Sequence, residues 1–251
     1  ILLFKSWDQI PYDNISPSKE VQTSRLKTLY YLNSNKDKKI IILTTINAII
    51  QKTIPKKHLK KNFINISIDS KLSIDNIITL LIKLGYERTS IVRDKSEFAI
   101  RGSLIDIFLP QYKNPIRIDL NNETIESIFE FDPITQKRTI KSNLKNIKIN
   151  ASNELIIDSK NLDKFRSNFR NTFQNYRKSQ VYEMFSEGII PSGGEQYMPL
   201  FYDKLDTIFD YFHNCKLIVH NDLNELFEEK LENFNNNYES RIQLNDIFYL
   251  N

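Results

Sequence analysis

The sequence predicts an α/β chain with a parallel sheet, and a series of antiparallel strands in the middle of the chain. Ile40 to Leu43 is a continuous apolar run, typical of a strand that is buried on both faces of a parallel sheet. A second run of this kind, Lys216 to Val219, lies far along the chain. Residues 89–131 instead carry short strands between turn compositions, which indicates an antiparallel meander.

The first segment, residues 1–62, has the pattern of the later part of an α/β domain whose beginning we expect to be absent. Ser18 is placed to cap a helix through about Leu32, because apolar residues recur there at helical spacing without Gly or Pro. The strand at Ile40 and a helix from Asn47 to Lys52 complete a β-α step.

The second segment, residues 63–149, starts with a strand and a helix that Ser73 begins and Gly85 closes. In Ile116 to Leu120 the alternation is strict, so the isoleucines and the leucine face the core and Arg117 faces away. The predicted strands of the meander are Thr89–Arg93, Phe98–Leu109, Ile116–Leu120 and Thr124–Phe131. The third segment, residues 150–251, carries a phenylalanine stripe on a helix from about Leu162 to Tyr176, and a last helix from about Asp222 to Phe234.

Arg101 and Gly102 lie at a change of phase within the longest predicted strand. Before this pair apolar residues, a phenylalanine and an isoleucine, stand at even-numbered positions, and after it two isoleucines stand at odd-numbered positions. A bulge at the glycine would explain this shift. Such a bulge would turn Arg101 away from the core, towards solvent or a partner. The alternative is an ordinary strand arginine that pairs with a neighbouring carboxylate, Asp106 or Asp119.

Composition excludes several classes of function. The chain has 35 basic and 31 acidic residues, a balance that argues against a dedicated nucleic-acid binder. A single cysteine, Cys215, excludes an internal disulfide framework and fits a reducing cytoplasm. No apolar run approaches the length of a membrane span, and the sequence contains no G-x-x-x-x-G-K-[ST] phosphate loop. The histidines are scattered, so we expect no metal site.

Several long motifs in order resemble the UvrB-like module of bacterial nucleotide excision repair, which the excision-nuclease component UvrB shares with the transcription-repair coupling factors. The run from Arg101 to Phe108 carries this resemblance, together with Ile125 to Ile128 and Phe131 to Gln136. Glu195 to Phe201 and Leu205 to Phe212 resemble the coupling factors specifically.

The resemblance implies a degenerate helicase-like domain, related to P-loop NTPases, that is split by an inserted α+β domain with an antiparallel sheet. The inserted domain would bind the damage-recognition protein UvrA through Arg101, Arg117 and Asn121; the family commonly has an aromatic residue at the third position. It also implies a bacterial, cytoplasmic parent protein whose separate motor domains use ATP and Mg²⁺ and contact RNA polymerase and double-stranded DNA.

Two departures from the family separate the alternatives. A working ATPase of this class has an Asp-Glu pair where this chain has His220 and Asn221, so we expect no hydrolysis and no cofactor in this chain. This counts against an NTPase fragment. The damage-probing hairpin of UvrB is replaced by a short loop after Pro11, which counts against a DNA-damage-binding fragment of UvrB. Trp7 and Tyr12 remain candidates for base stacking, with packing as the alternative.

Overall fold

The structure is a computed structural model that describes residues 1–35, 38–59, 63–139, 143–212, 214–219, 221–243, 248 and 250. It divides into two units. One comprises Ile1–Val21, Tyr31–Lys56 and Ile157–Asn251, and the other comprises Gln22–Tyr30 and Lys57–Ile156. All of residues 63–149 lie in the second unit. The three-part boundaries drawn from the sequence stay a prediction.

Helices and strands alternate in residues 1–88, strands predominate from residue 97 to residue 150, and the named elements after residue 150 are all helices. The strands are β1 (Leu2–Phe4), β2 (Ile42–Thr44), β3 (Phe63–Ser67), β4 (Glu87–Arg88), β5 (Glu97–Arg101), β6 (Leu104–Ile107), β7 (Ile116–Asn121), β8 (Thr124–Glu130) and β9 (Asn146–Asn150). The α-helices are α1 (Lys19–Ser34), α2 (Ile46–Ile50), α3 (Lys56–Leu59), α4 (Ile74–Lys83), α5 (Ser159–Thr172), α6 (Gln180–Ser186) and α7 (Leu223–Gln243). Short 3-10 helices span Tyr176–Lys178, Gly194–Leu200 and Ile208–Tyr211. The predicted mixture of α-helices with a parallel and an antiparallel sheet is confirmed.

The parallel sheet of the first unit is the pair β1 and β2, with Leu2 opposite Ile42. The predicted strand therefore exists, but its predicted burial is wrong, because Ile41 is 62% exposed and Leu43 is 54% exposed. A parallel strand is buried when other elements cover both faces of its sheet. No described element covers these two side chains.

The segment Lys216 to Val219 also differs from its prediction as a second buried strand. It pairs with none of the described strands, and Ile218 is 95% exposed. An apolar run of four residues is equally compatible with a strand and with an unpaired extended segment until a neighbouring strand supplies hydrogen bonds. In the part of the chain that the structure describes, that neighbour is missing.

Local signals placed the start of α1 and the end of α4, whereas α7 continues to Gln243, beyond its predicted end near Phe234, and α3 and α6 were not predicted. α1 begins at Ser18, whose Oγ accepts a hydrogen bond from the amide of Val21 at 3.3 Å. α4 ends at Gly85, where φ is +86° and a Cβ would lie 2.7 Å from that of Asn153. The phenylalanine stripe of α5 is buried in the first unit, with the rings of Phe165 and Phe201 4.5 Å apart.

The second unit holds the antiparallel strands. β3 pairs with β9, and the other five strands form one sheet in the order β4-β5-β6-β7-β8, in which β5 to β8 are an antiparallel meander. The meander is confirmed, but the strand predicted for Thr89–Arg93 is wrong. The Glu97 carboxylate accepts the amides of Arg93 and Asp94 at 2.7 and 2.8 Å, which satisfies that backbone in a loop instead of a strand ladder.

One side of the meander forms the core of the second unit. The alternation predicted for β7 is confirmed, because Ile116, Ile118 and Leu120 are buried while Arg117 and Asp119 are less so. The partners of Ile118 on the two neighbouring strands, Ile105 and Ile128, are buried as well. Among the described helices, none is both long and apolar enough to cross a membrane.

Candidate partner-binding face on the antiparallel sheet

A tight hairpin positions Arg101. β5 and β6 are two strands joined by Gly102 and Ser103, with Arg101 opposite Leu104. The prediction of one continuous strand with a bulge at Gly102 is therefore wrong. The phase of the apolar residues changes because the chain reverses direction, and Gly102 adopts φ +60° at the first loop position, where a two-residue hairpin favours glycine.

The register of the strands brings polar side chains onto the side of the sheet that faces away from the core. Asp106 lies opposite Arg117, and Arg117 lies opposite Phe129 on the next strand. Residues that are directly opposite each other share a face of the sheet. We call this side the outward face; across β5 to β8 it carries Arg101, Leu104, Asp106, Arg117, Asp119, Asn121, Thr124, Ser127 and Phe129, together with Ala99, which is buried.

A buried carboxylate holds both arginines of the outward face. One guanidinium nitrogen of Arg101 lies 2.5 Å from Oδ2 of Asp106, and Nε of Arg117 lies 2.6 Å from Oδ1. A second nitrogen of Arg117 donates to Oδ2 at 2.9 Å. The Asp106 side chain is 1% exposed. Two guanidinium groups share this one carboxylate, while Asp119 carries a second negative charge on the same face.

Arg117 is fixed on its other side by an aromatic ring. Its guanidinium carbon lies 4.6 Å from the ring centroid of Phe131, within the range of a cation–π contact. The hydrogen bonds that Arg117 donates to the Asp106 carboxylate raise the pKa of Arg117, burial opposes this shift, and the negative charges of Asp106 and Asp119 add to it. The side chain is only 14% exposed, whereas that of Arg101 is 42% exposed.

The structure therefore brings the three predicted partner-binding residues to one face of the sheet. They differ in how far their side chains are exposed to solvent. Arg101 pairs with Asp106, as the alternative interpretation of its sequence proposed, and yet remains partly exposed. Arg117 is mostly covered. Asn121 is exposed at the end of β7, where it lies opposite Thr124. Their role in binding a partner stays a prediction.

Sequence reasoning missed two residues on this face. The guanidinium carbon of Arg138 lies 4.3 Å from the ring centroid of Phe129. Arg138 is exposed and follows the meander in a loop that returns to pair with Phe131. The alternation of β8 could have indicated that Phe129 faces outward, but a register shift between Asp119 and Leu120 interrupts it. No local signal places Arg138 over that ring.

The other sequence candidates are not assembled into a catalytic site. His220 lies outside the described residues, and Asn221 is exposed in the turn before α7. Within the described ranges, no three His, Cys, Asp or Glu residues converge as metal ligands. The absence of a cofactor stays a prediction. Tyr12 packs against Tyr238, with ring centroids 5.3 Å apart, in agreement with the packing alternative.

The motifs that resemble the coupling factors have contacts within the first unit. Glu195 is buried and accepts a hydrogen bond from the Ser16 hydroxyl at 2.7 Å. The Tyr211 hydroxyl donates to the carbonyl oxygen of Ile54 at 2.7 Å, and Asp206 accepts the amide of Lys56 at 2.8 Å. These contacts join distant parts of the sequence within this unit. The motif residues that make them therefore stabilise its fold.

Known proteins are similar to this chain over nearly its whole length. Residues 64–155 match the family model of the UvrB interaction domain. The chain is 33% identical over 244 residues to a transcription-repair-coupling factor of Haemophilus influenzae, which covers 96% of this chain and 21% of that protein. A transcription-repair-coupling factor of Rickettsia bellii is 32% identical over 248 residues, covering 98% of this chain and 22% of the relative. The corresponding protein of Escherichia coli is 30% identical over 221 residues, covering 87% and 19%.

The chain thus spans about a fifth of the length of the curated relatives that it matches. The matched family model includes all four strands of the meander and therefore the outward face. Residues 64–155 are thus similar to the UvrB interaction domain family, within a chain that is similar to transcription-repair-coupling factors along nearly all of its length.

Proposed function

We propose that this chain is a non-catalytic platform that recruits UvrA, as the N-terminal part of a transcription-repair coupling factor. The observation that carries the proposal is the arginine cluster around Asp106 on the outward face, within the UvrB interaction domain. Guanidinium groups held in a fixed orientation lose little freedom when they pair with carboxylates of a partner. The partly exposed guanidinium group of Arg101 favours a partner that presents acidic groups.

The remaining parts of the chain fit a scaffold for this domain. We propose that residues 1–62 and 150–251 form a degenerate helicase-like domain and that residues 63–149 are the insert that binds UvrA. The parallel pairing of β1 with β2 supports the first part of this proposal, and the antiparallel meander supports the second.

Catalysis is assigned to other parts of the parent protein. His220 and Asn221 provide no carboxylate for Mg²⁺, which supports a role in binding instead of hydrolysis. We propose that ATP-driven translocation, and the contacts with RNA polymerase and double-stranded DNA, reside in parts of a longer bacterial cytoplasmic protein that this sequence does not include.

Capture of purified cognate UvrA by the immobilised chain tests this proposal. We expect saturable binding that weakens at least tenfold in Arg101→Glu, because charge reversal at a paired interface arginine costs about 2 to 5 kcal/mol. The matched control is Arg170→Glu, which makes the same charge change at an exposed position of α5 in the first unit. Equal affinity of all three proteins for UvrA would show that the outward face is not the site, and no capture by the unmodified chain would reject the function.

A further inference from the structure

We propose that Phe129 and Arg138 extend the outward face, so that the chain recognises a row of acidic groups running from β5 across to the loop beyond β8. This inference rests on the proposed function, because it deepens the description of the same binding face. It adds two residues that the resemblance to the repair module did not indicate. Arg138 would bind a carboxylate of the partner, and Phe129 would supply apolar contact beside it.

The register of the sheet places this pair next to the arginine cluster. Phe129 lies directly opposite Arg117, whose guanidinium group is held by Asp106 on the preceding strand. Arg138 stacks on the ring of Phe129 at 4.3 Å from its centroid. Neighbouring strands are about 4.8 Å apart, so the row from β5 to β8 extends over roughly 14 Å. That length allows simultaneous contact with two or three acidic side chains.

Of the arginines in this row, Arg138 has the charge that the described neighbouring residues compensate least. Arg101 and Arg117 share the Asp106 carboxylate, and Asp119 adds a second negative charge to the face. Arg138, in contrast, bonds to the Asn143 side-chain oxygen and to an aromatic ring, and no described carboxylate lies within ion-pairing distance of it. Its charge is thus uncompensated by the described residues around it.

The loop that carries Arg138 is held in place by a polar turn. One carboxylate oxygen of Asp132 accepts the amides of Ile134 and Thr135 at 3.0 and 2.7 Å, and also the Thr135 hydroxyl. The amide of Asp132 donates to the carbonyl oxygen of Lys137 at 2.9 Å. The turn returns the chain so that Arg138 pairs with Phe131. The guanidinium group is consequently oriented before a partner arrives, which lowers the entropy lost on binding.

Phe129 can supply the apolar contact that Asn121 does not. Aromatic and arginine side chains dominate the energetics of protein interfaces when they are buried near the centre of the contact. Asn121 is exposed at the end of β7 and offers only an amide. Phe129 is partly exposed and lies between Arg117 and Arg138 in the row. The partner that fits this surface is an acidic protein surface with an apolar spot between its carboxylates.

Binding of cognate UvrA to four variants of the chain tests the inference. We expect Arg138→Glu and Phe129→Thr each to weaken binding about tenfold or more, as for interface residues at the centre of a contact. Arg138→Lys keeps the charge but loses the planar guanidinium group, so we expect it to recover only part of the affinity. Lys137→Glu is the matched control, since it reverses a charge at the adjacent exposed position of the same loop. Thermal unfolding of each variant excludes loss of folding; threonine is chosen at position 129 because it is compatible with a strand.

The outcomes separate this inference from the proposed function. If Arg101→Glu weakens binding while Arg138→Glu and Phe129→Thr bind as well as the unmodified chain, the binding face ends at β7 and the inference is wrong. If Lys137→Glu weakens binding as much as Arg138→Glu, only overall charge matters and the stacked pair has no specific role. If the unmodified chain does not bind UvrA, the proposed function fails and the inference fails with it.

Discussion

Arg117 and Asp106 lie opposite each other on β7 and β6, and a bidentate ion pair joins them at 2.6 and 2.9 Å. Because Asp106 is almost fully buried, this pair does more than orient a surface arginine. It determines which side chains of the outward face can be changed without loss of folding. The first two predictions follow from it.

Removal of the buried carboxylate should destabilise the chain. In Asp106→Ala, Arg117 would lose the anion that compensates its charge in a site where its side chain is 14% exposed. Truncating one partner of a buried ion pair costs about 3 to 5 kcal/mol, and we expect about 3 kcal/mol here because Arg101 reaches solvent. Urea unfolding measures the difference. A loss below about 1 kcal/mol would mean that solvent screens the pair.

Charge reversal should have different consequences at the two arginines. Both arginines lie on the outward face, but Arg117→Glu would place a second carboxylate against buried Asp106 at a position whose side chain is only 14% exposed. We expect Arg117→Glu to lower the free energy of unfolding by about 3 kcal/mol or more, and Arg101→Glu by about 1 kcal/mol. Equal stability of the two variants in urea unfolding would contradict this. UvrA capture by Arg117→Glu is therefore interpretable only at a temperature where the variant is folded.

An aromatic residue at position 121 should strengthen capture of UvrA. Asn121 is exposed on the outward face, so the substitution Asn121→Phe removes no buried contact. Burial of most of the new ring against the partner would contribute about 1 to 2 kcal/mol. Titration with cognate UvrA measures the gain, and Asn171→Phe at an exposed position of α5 in the first unit is the control. A weaker complex in Asn121→Phe would indicate that the amide itself contacts the partner.

Acid should loosen the loop that carries Arg138. Hydrogen bonds from the Thr135 amide and hydroxyl, and from the amide of Ile134, hold the pKa of Asp132 below its ordinary value of 3.8. A depressed carboxyl pKa contributes stability that is fully present above the unfolded value and is lost as the pH falls through the folded value. We expect Asp132→Ala to be less stable than the unmodified chain above about pH 5. The difference should shrink as the pH falls below about 3.8.

Unfolding of both proteins by urea at a series of pH values measures this dependence. Asp94→Ala serves as the control, since its carboxylate makes no stabilising contact with the described residues, and its difference from the unmodified chain should be small across the series. A difference for Asp132→Ala that stays constant down to about pH 2, well below the ordinary carboxyl pKa, would show that the ionised carboxylate does not stabilise the turn.

Several features were predictable because their causes are local. The cap at Ser18, the left-handed residue at Gly85 and the strict alternation of β7 each depend on residues that are close in sequence. An antiparallel meander with strands near Ile116–Leu120 and Thr124–Phe131 followed from turn compositions between short apolar runs. These local signals are sufficient to place Arg117 on the outward face.

Features that depend on distant residues were not predictable in this way. A phase change in an apolar pattern has the same appearance for a bulge and for a hairpin, and only the pairing of β5 with β6 decides for the hairpin. Burial of an apolar run requires a covering layer, which is why Ile41 and Ile218 are exposed despite their sequence context.

The sequence by itself determined that the middle of the chain is an antiparallel meander, and it determined the side of the sheet on which Arg117 lies. Tertiary structure alone decided what those arginines contact. The pairing of Arg117 with buried Asp106 requires two strands in one register, and the stacking of Arg138 on Phe129 requires a loop that returns to the sheet. Both depend on the relative position of backbone segments, which hydrophobic periodicity does not specify.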